Sequence, residues 1–129
     1  MPQSILVVED EWHIRKLTTM ALKSRGYKVV EAENGVEAIE QLHHHPVDLV
    51  LTDWMMPGMD GRDLVQKIRE RPEGKGLPVV VFSGINPPLE SVEDELLDIR
   101  CWLSKPCRIQ KIVEMVSSVL DHPLRQAIH

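Results

Sequence analysis

Five short apolar runs punctuate this chain: "SILVV" (4–8), "YKVVEA" (27–32), "VDLVL" (47–51), "LPVVVF" (77–82) and "CWL" (101–103). The first, third and fourth lack the apolar–polar alternation of a strand with one wet face. Near-continuous Val, Ile and Leu suits strands covered on both faces, as in a parallel sheet. Parallel neighbours need a crossover, and the intervening segments have helical spacing. Ile14, Leu17 and Ala21 define one helix face, with Gly26 as its stop. Asn34 is placed to cap a second helix bearing Val36, Ile39 and Leu42, which Pro46 ends. Leu64, Val65 and Ile68 mark a third helix. Leu89, Val92, Leu96 and Leu97 mark a fourth, after Pro87 and Pro88. Ile109, Ile112, Val113, Val116 and Leu120 give the clearest stripe, the fifth. Five strand–helix alternations without repeats or a linker predict an open α/β sheet with helices on both sides. Residues 1–120 read as that one domain and 121–129, "DHPLRQAIH", as a tail.

Composition narrows what such a sheet could serve. At 129 residues the chain is long enough for one domain with a real hydrophobic core. No apolar stretch approaches the roughly 20 residues that cross a bilayer. Glu9, Asp10 and Glu11 come too early for a secretory signal peptide, so the cytoplasm is the expected compartment. Cys101 and Cys107 make neither a CxxC pair nor a disulfide framework. A net charge of -5 disfavours a nucleic-acid surface, which needs clustered Lys and Arg. An acidic chain more naturally meets another protein, a metal ion, or both.

In a doubly wound sheet, ligands bind beyond the carboxyl ends of the strands, where strand order switches. Four strand ends carry polar residues: Glu9 and Asp10 after the first, Asp53 after the third, Ser83 after the fourth, Lys105 after the fifth. Singly each has an ordinary reading. An acidic pair after a strand serves a helix N-terminus, an Asp before a turn caps it, and a Lys-Pro sits in surface turns. Together on one rim they call for a common chemistry. The apolar run ending in Asp53 also delivers a carboxylate where an unpartnered charge would be costly, so a partner must meet it there.

The segments "ILVVEDE", "LVLTDWMMPGMDG", "VVVFSG" and "WLSKPC" resemble the four signature segments of the CheY-like response-regulator receiver domain of two-component signalling. The resemblance covers residues 4 to about 120, and the D-x-x-M-P-x-M-D-G string with a downstream K-P is specific. It implies a flavodoxin-like (βα)5 fold with strand order 2-1-3-4-5. It further implies that a histidine kinase, or a phosphotransfer protein, phosphorylates Asp53. By the same resemblance Glu9 and Asp10 are the acidic pair, Ser83 the switch hydroxyl, Lys105 the partner of the phosphoryl group, and Trp102 the aromatic switch position. The function it implies is a phosphoacceptor that changes shape at the face of the fourth helix, fifth strand and fifth helix to regulate an output partner. No enzymatic activity is expected beyond self-catalysed uptake and loss of phosphate.

The residue chemistry agrees. Glu9, Asp10 and Asp53 would repel one another at close range, and a hard cation such as Mg²⁺ removes that repulsion. Asp10, Asp53 and the backbone carbonyl of Met55 are the expected direct ligands, with Glu9 acting through water because it replaces the family's commoner Asp. Asp53 is the nucleophile, Lys105 supplies positive charge, and Ser83 donates to a phosphoryl oxygen. Gly84 leaves room for a bulky donor. The resemblance implies that the positions two residues after Asp53 and Ser83 tune attack of water on the phospho-aspartate. Here they are Met55 and Ile85, which offer no group to orient a water, so slow loss of phosphate is expected. The acidic stretch from Leu89 to Asp98 is expected to meet a basic partner surface.

Other readings are weaker. An aspartyl-phosphate phosphatase places a second Asp two residues after its nucleophile, where this chain has Met55. A non-phosphorylated interaction module would lack one of the acids or the lysine, and all are present. A flavin site is disfavoured by the acids at the rim. "HHH" (43–45) reads as a solvated helix end, and Met55, Met56 and Met59 as loop packing.

Overall fold

In a computed structural model, which describes residues 2–84 and 97–121, five parallel strands form one sheet. They are β1 (Ser4–Val8), β2 (Lys28–Ala32), β3 (Leu49–Thr52), β4 (Val79–Ser83) and β5 (Ile99–Ser104), in the order β2-β1-β3-β4-β5. The helices are α1 (Trp12–Ser24), α2 (Gly35–His44), α3 (Gly61–Glu70) and α4 (Ile109–Asp121), with a 3-10 turn at Pro72–Gly74. Between β1 and β3 the chain visits the outer strand β2 and returns, so the connections from β1 and β3 leave in opposite directions and open a crevice at their carboxyl ends.

The first, third and fourth runs are buried on both faces, as their lack of alternation requires, while β2 and β5 at the sheet edges are only partly buried. Leu6, Val8, Val50, Val79 and Val81 pack under α2 and α3; Ile5, Val7, Leu49, Leu51 and Val80 pack under α1 and α4. Each such side chain is worth about 1.5–3 kcal/mol of burial, so these central strands anchor the fold. Leu64, Val65 and Ile68 of α3 and Ile112, Val113 and Val116 of α4 face the sheet as their spacing predicts. Asn34 caps α2, its Oδ1 accepting from the Glu37 amide at 2.8 Å. Gly26 ends α1 with φ 93, in the left-handed region open to glycine.

Two stripe assignments fail. Leu17 is 55% exposed and Val36 62% exposed. In α1 the core face runs through Ile14, Thr18, Thr19, Ala21 and Leu22, so two threonines that look polar in the sequence lie inside. In α2 the face is Gly35, Ala38, Ile39 and Leu42, close enough to the loop that a Cβ on Gly35 would meet Met59 at 2.8 Å. Small and β-hydroxy residues replaced the bulky apolar ones on which the period was counted. The predicted fourth helix, except Leu97, and residues 122–129 of the predicted tail lie outside the described residues, as does Ile85.

Candidate functional site

Main-chain bonds carry the ladder past the strand ends and bring the rim together. The Glu9 amide donates to Ala32 O at 3.0 Å, Asp53 to Val8 O at 2.9 Å, and Lys105 to Ser83 O at 2.8 Å. Glu9, Asp53 and Lys105 are thus each the first residue beyond a strand, and Ser83 is the last within its own. The Asp53 loop turns tightly against α3: Gly61 N donates to Trp54 O at 2.8 Å, and a Cβ on Gly61 would lie 2.7 Å from Trp54 Cα. Glycine is the residue that fits there. Arg15 of α1 fixes the other side, its Nη1 donating to Glu9 O at 2.8 Å while its Nε pairs with Glu31 at 3.1 Å.

The Asp53 carboxylate is buried and its two oxygens are held differently. Oδ1 accepts from the amides of Trp54 at 2.7 Å and Met55 at 3.2 Å. Oδ2 accepts from Lys105 Nζ at 3.1 Å. Lys105 also donates to Glu9 Oε1 at 2.7 Å and lies 5.1 Å from the Phe82 ring centroid. Glu9 is only 3% exposed, and its Oε2 accepts from the Glu11 amide at 3.1 Å. Burial pushes the Glu9 carboxyl up to about 7, against the hydrogen bonds from Lys105 and Glu11 that favour its charge. Burial also pulls on the Lys105 ammonium, but its bonds to Glu9 and Asp53 and their charges prevail, and its pKa is raised.

Asp10 stands exposed beside them, and one carboxylate oxygen each from Glu9, Asp10 and Asp53 lies within 4.8 Å of the others. Carboxylate oxygens converging in this way fit a hard divalent cation. Met55 shares the loop, with its side chain 59% exposed above it. Ser83 is fully buried at the end of β4. Among the described residues, a Cβ on neighbouring Gly84 would meet nothing within 4 Å.

Sequence reading brought Glu9, Asp10, Asp53, Ser83 and Lys105 to one rim, and the structure places them there. It did not anticipate that Lys105 bridges Glu9 and Asp53, nor that Trp54 packs against Trp102. Those two rings lie 4.9 Å apart at 54°, joining the loop after Asp53 to β5. The signal was a tryptophan beside the acid and another two residues before Ser104, which no periodicity pairs.

The response regulator receiver domain family matches residues 5–117. The chain belongs to that family. A phosphoacceptor role is general to it. The chain is similar to the phosphate regulon transcriptional regulatory protein PhoB of Escherichia coli, 30% identical over 120 residues, covering 93% of this chain and 52% of that protein. It thus spans about half of that relative's length. It is 26% identical to the polar-differentiation response regulator DivK of Brucella anthropi, covering 93% of this chain and 98% of DivK. The chemotaxis protein CheY4 of Vibrio cholerae superposes with a TM-score of 0.86 at 25% identity, over 92% of this receiver and 99% of CheY4. Among the described residues, no helix is long and apolar enough to cross a membrane.

Proposed function

We propose that this receiver accepts a phosphoryl group on Asp53 from a histidine kinase or phosphotransfer protein, with Mg²⁺ held by Asp10, Asp53 and the Met55 carbonyl, and Glu9 acting through water. The observation that carries this is the uneven hold on the Asp53 carboxylate. Oδ1 is fixed by two main-chain amides, while Oδ2 faces an ammonium on a long stem that can swing. Oδ2 is therefore the attacking oxygen. Its lone pair forms the new O–P bond as the P–N bond of the donor breaks, the electron pair returning to the imidazole ring. A bound cation would neutralise charge on the phosphoryl oxygens. Lys105 follows the new negative charge, and Ser83 donates to a second phosphoryl oxygen. No general base is needed, since the reaction depends on positioning and charge.

The switch couples through packing. Drawing Ser83 toward the phosphoryl group shifts the end of β4, against which β5 is paired at Ser83↔Ser104. Trp102, half-buried on Trp54, reports and transmits that shift to the face used by an output partner. Phosphate drives this only so far as its contacts differ between the two states. Cytoplasmic placement, residues 1–120 as the functional unit and a basic partner surface complete the reading.

The test is intact-protein mass after treatment with Mg²⁺ and a small phosphodonor. Wild type should gain one phosphoryl group; Asp53→Asn, or wild type with chelator, should gain none. Labelling of the Asn variant to the wild-type level would reject Asp53 as the acceptor.

A further inference from the structure

Thr18 and Thr19 of α1 are buried, at 3% and 4% exposure, and neither hydroxyl has a hydrogen-bond partner among the described residues. An unpartnered buried hydroxyl is costly, so each calls for a cause. Thr18 has a distinctive neighbourhood. It lines a small cavity whose walls also include Glu9, Thr52 and Asp53 of the rim, together with Val7 and Leu51. The space open to the centre of a water-sized sphere is about 10 Å³. One buried water needs roughly 10–15 Å³ and two to four polar partners. The Thr18 hydroxyl is one partner, and Thr52 Oγ1, which donates to Asp53 O at 2.8 Å, keeps lone pairs for another.

We propose that Thr18 is a positioning residue: through one water in this cavity it supports Glu9, setting the carboxylate for the cation site. Glu9 is otherwise held by Lys105 and by the Glu11 amide. In the proposed function Lys105 would follow the phosphoryl group, so that hold is exchangeable. A further support keeps Glu9 in place during the exchange. Outer partners of this kind are worth about 10–100-fold in metal affinity, and one acting through a water belongs at the low end.

This rests on the Mg²⁺ reading above, and the experiment separates the two. Mg²⁺ titrations followed by tryptophan fluorescence and calorimetry would compare wild type with Thr18→Val, Thr18→Ser and Thr19→Val. Thr18→Val keeps the shape and loses the hydroxyl, and it should raise the Kd for Mg²⁺ about 10-fold. Thr18→Ser should restore wild-type affinity, and Thr19→Val, which removes an equally buried hydroxyl from the same helix, should not alter it. An atomic-resolution crystal structure of the wild type should show a water bonded to Thr18 Oγ1. Unchanged Mg²⁺ affinity in Thr18→Val overturns the proposal. So does a higher Tm for that variant in metal-free buffer, because a dry hydroxyl is the one whose removal stabilises. If wild type itself fails to bind Mg²⁺, the cation reading falls, and a cavity without a water in the crystal would then overturn this proposal separately.

Discussion

At the carboxyl ends of the strands, Lys105 donates to two carboxylates, Glu9 at 2.7 Å and Asp53 at 3.1 Å. At the amino ends of β4 and β5, Arg69 of α3 donates to four main-chain carbonyls: Leu97 at 2.9 Å, Gly74 at 2.6 Å, Leu77 at 2.7 Å and Asp98 at 3.1 Å. Both are partly buried cations that tie separate segments together, but their partners differ in kind. Carbonyls carry no net charge and move only if the backbone moves, and a planar guanidinium fork satisfies several at once. Carboxylates take up protons, metals or phosphoryl groups, and a lysine is a point charge on a flexible stem. The same formal charge therefore makes a rivet at one rim and an exchangeable clasp at the other.

Crossed truncations should separate the two roles. Arg69→Met strands four acceptors and should cost about 4 kcal/mol in urea unfolding, leaving phosphoryl uptake by the folded protein intact. Lys105→Met should slow uptake about 10²-fold, as loss of one preorganised donor does. Measured at pH 6, where most of Glu9 is protonated, it should destabilise less than Arg69→Met. The comparison breaks if the folded Arg69 variant cannot be phosphorylated, or if Lys105→Met is the more destabilising of the two.

The clasp should also be pH-dependent where the rivet is not. The Glu9 carboxyl is raised in the fold from 4.5 to about 7, so the folded state prefers it protonated. Its stabilising contribution is complete below pH 4.5 and is lost as pH rises through 7, by about 3 kcal/mol in metal-free buffer. Glu9→Gln should flatten that slope, while the cost of Arg69→Met should stay level across the same range. Added Mg²⁺ should stabilise wild type more at pH 8 than at pH 6, because the cation competes with the proton. Equal stabilisation at both pH values would detach Glu9 from the cation site.

The smallest expected effect concerns the open side of the clasp. Met55 is exposed over the Asp53 loop and cannot orient a water. Met55→Asn with Ile85→Glu should speed loss of phosphate about 10-fold, below the roughly 10²-fold of a fully positioned proton-transfer group, without preventing uptake. A half-life unchanged from wild type in Mg²⁺ buffer would mean that these side chains do not govern the phosphorylated lifetime.

Much of this was legible because parallel strands leave a local trace. "SILVV" and "LPVVVF" are apolar on both faces wherever they are read, and they became β1 and β4 within two residues. The rim acids, Ser83 and Lys105 follow because each sits where its run ends. Leu17 and Val36 were misplaced because hydropathy does not register that a threonine methyl or a glycine can face a core where space is short. The role of Thr18 was hidden for the same reason.

What the chain's own order of residues determined is the alternation of elements, the crevice and the identity of the groups at it. Two things needed the folded molecule. Lys105 meets Glu9 across 96 positions, and no local pattern specifies which carboxylate a lysine will choose. The pairing of β4 with β5 shifts between Val79↔Ile99 and Val80↔Cys101, leaving Arg100 without a ladder partner. A one-residue slip turns every later side chain to the opposite face. Because of that slip Ile99 and Trp102, three apart, share the face under α2 and α3, and Trp102 reaches Trp54. Register is settled by how whole strands pack against each other, which is why the contact between the phosphoacceptor loop and β5 belongs to the tertiary structure alone.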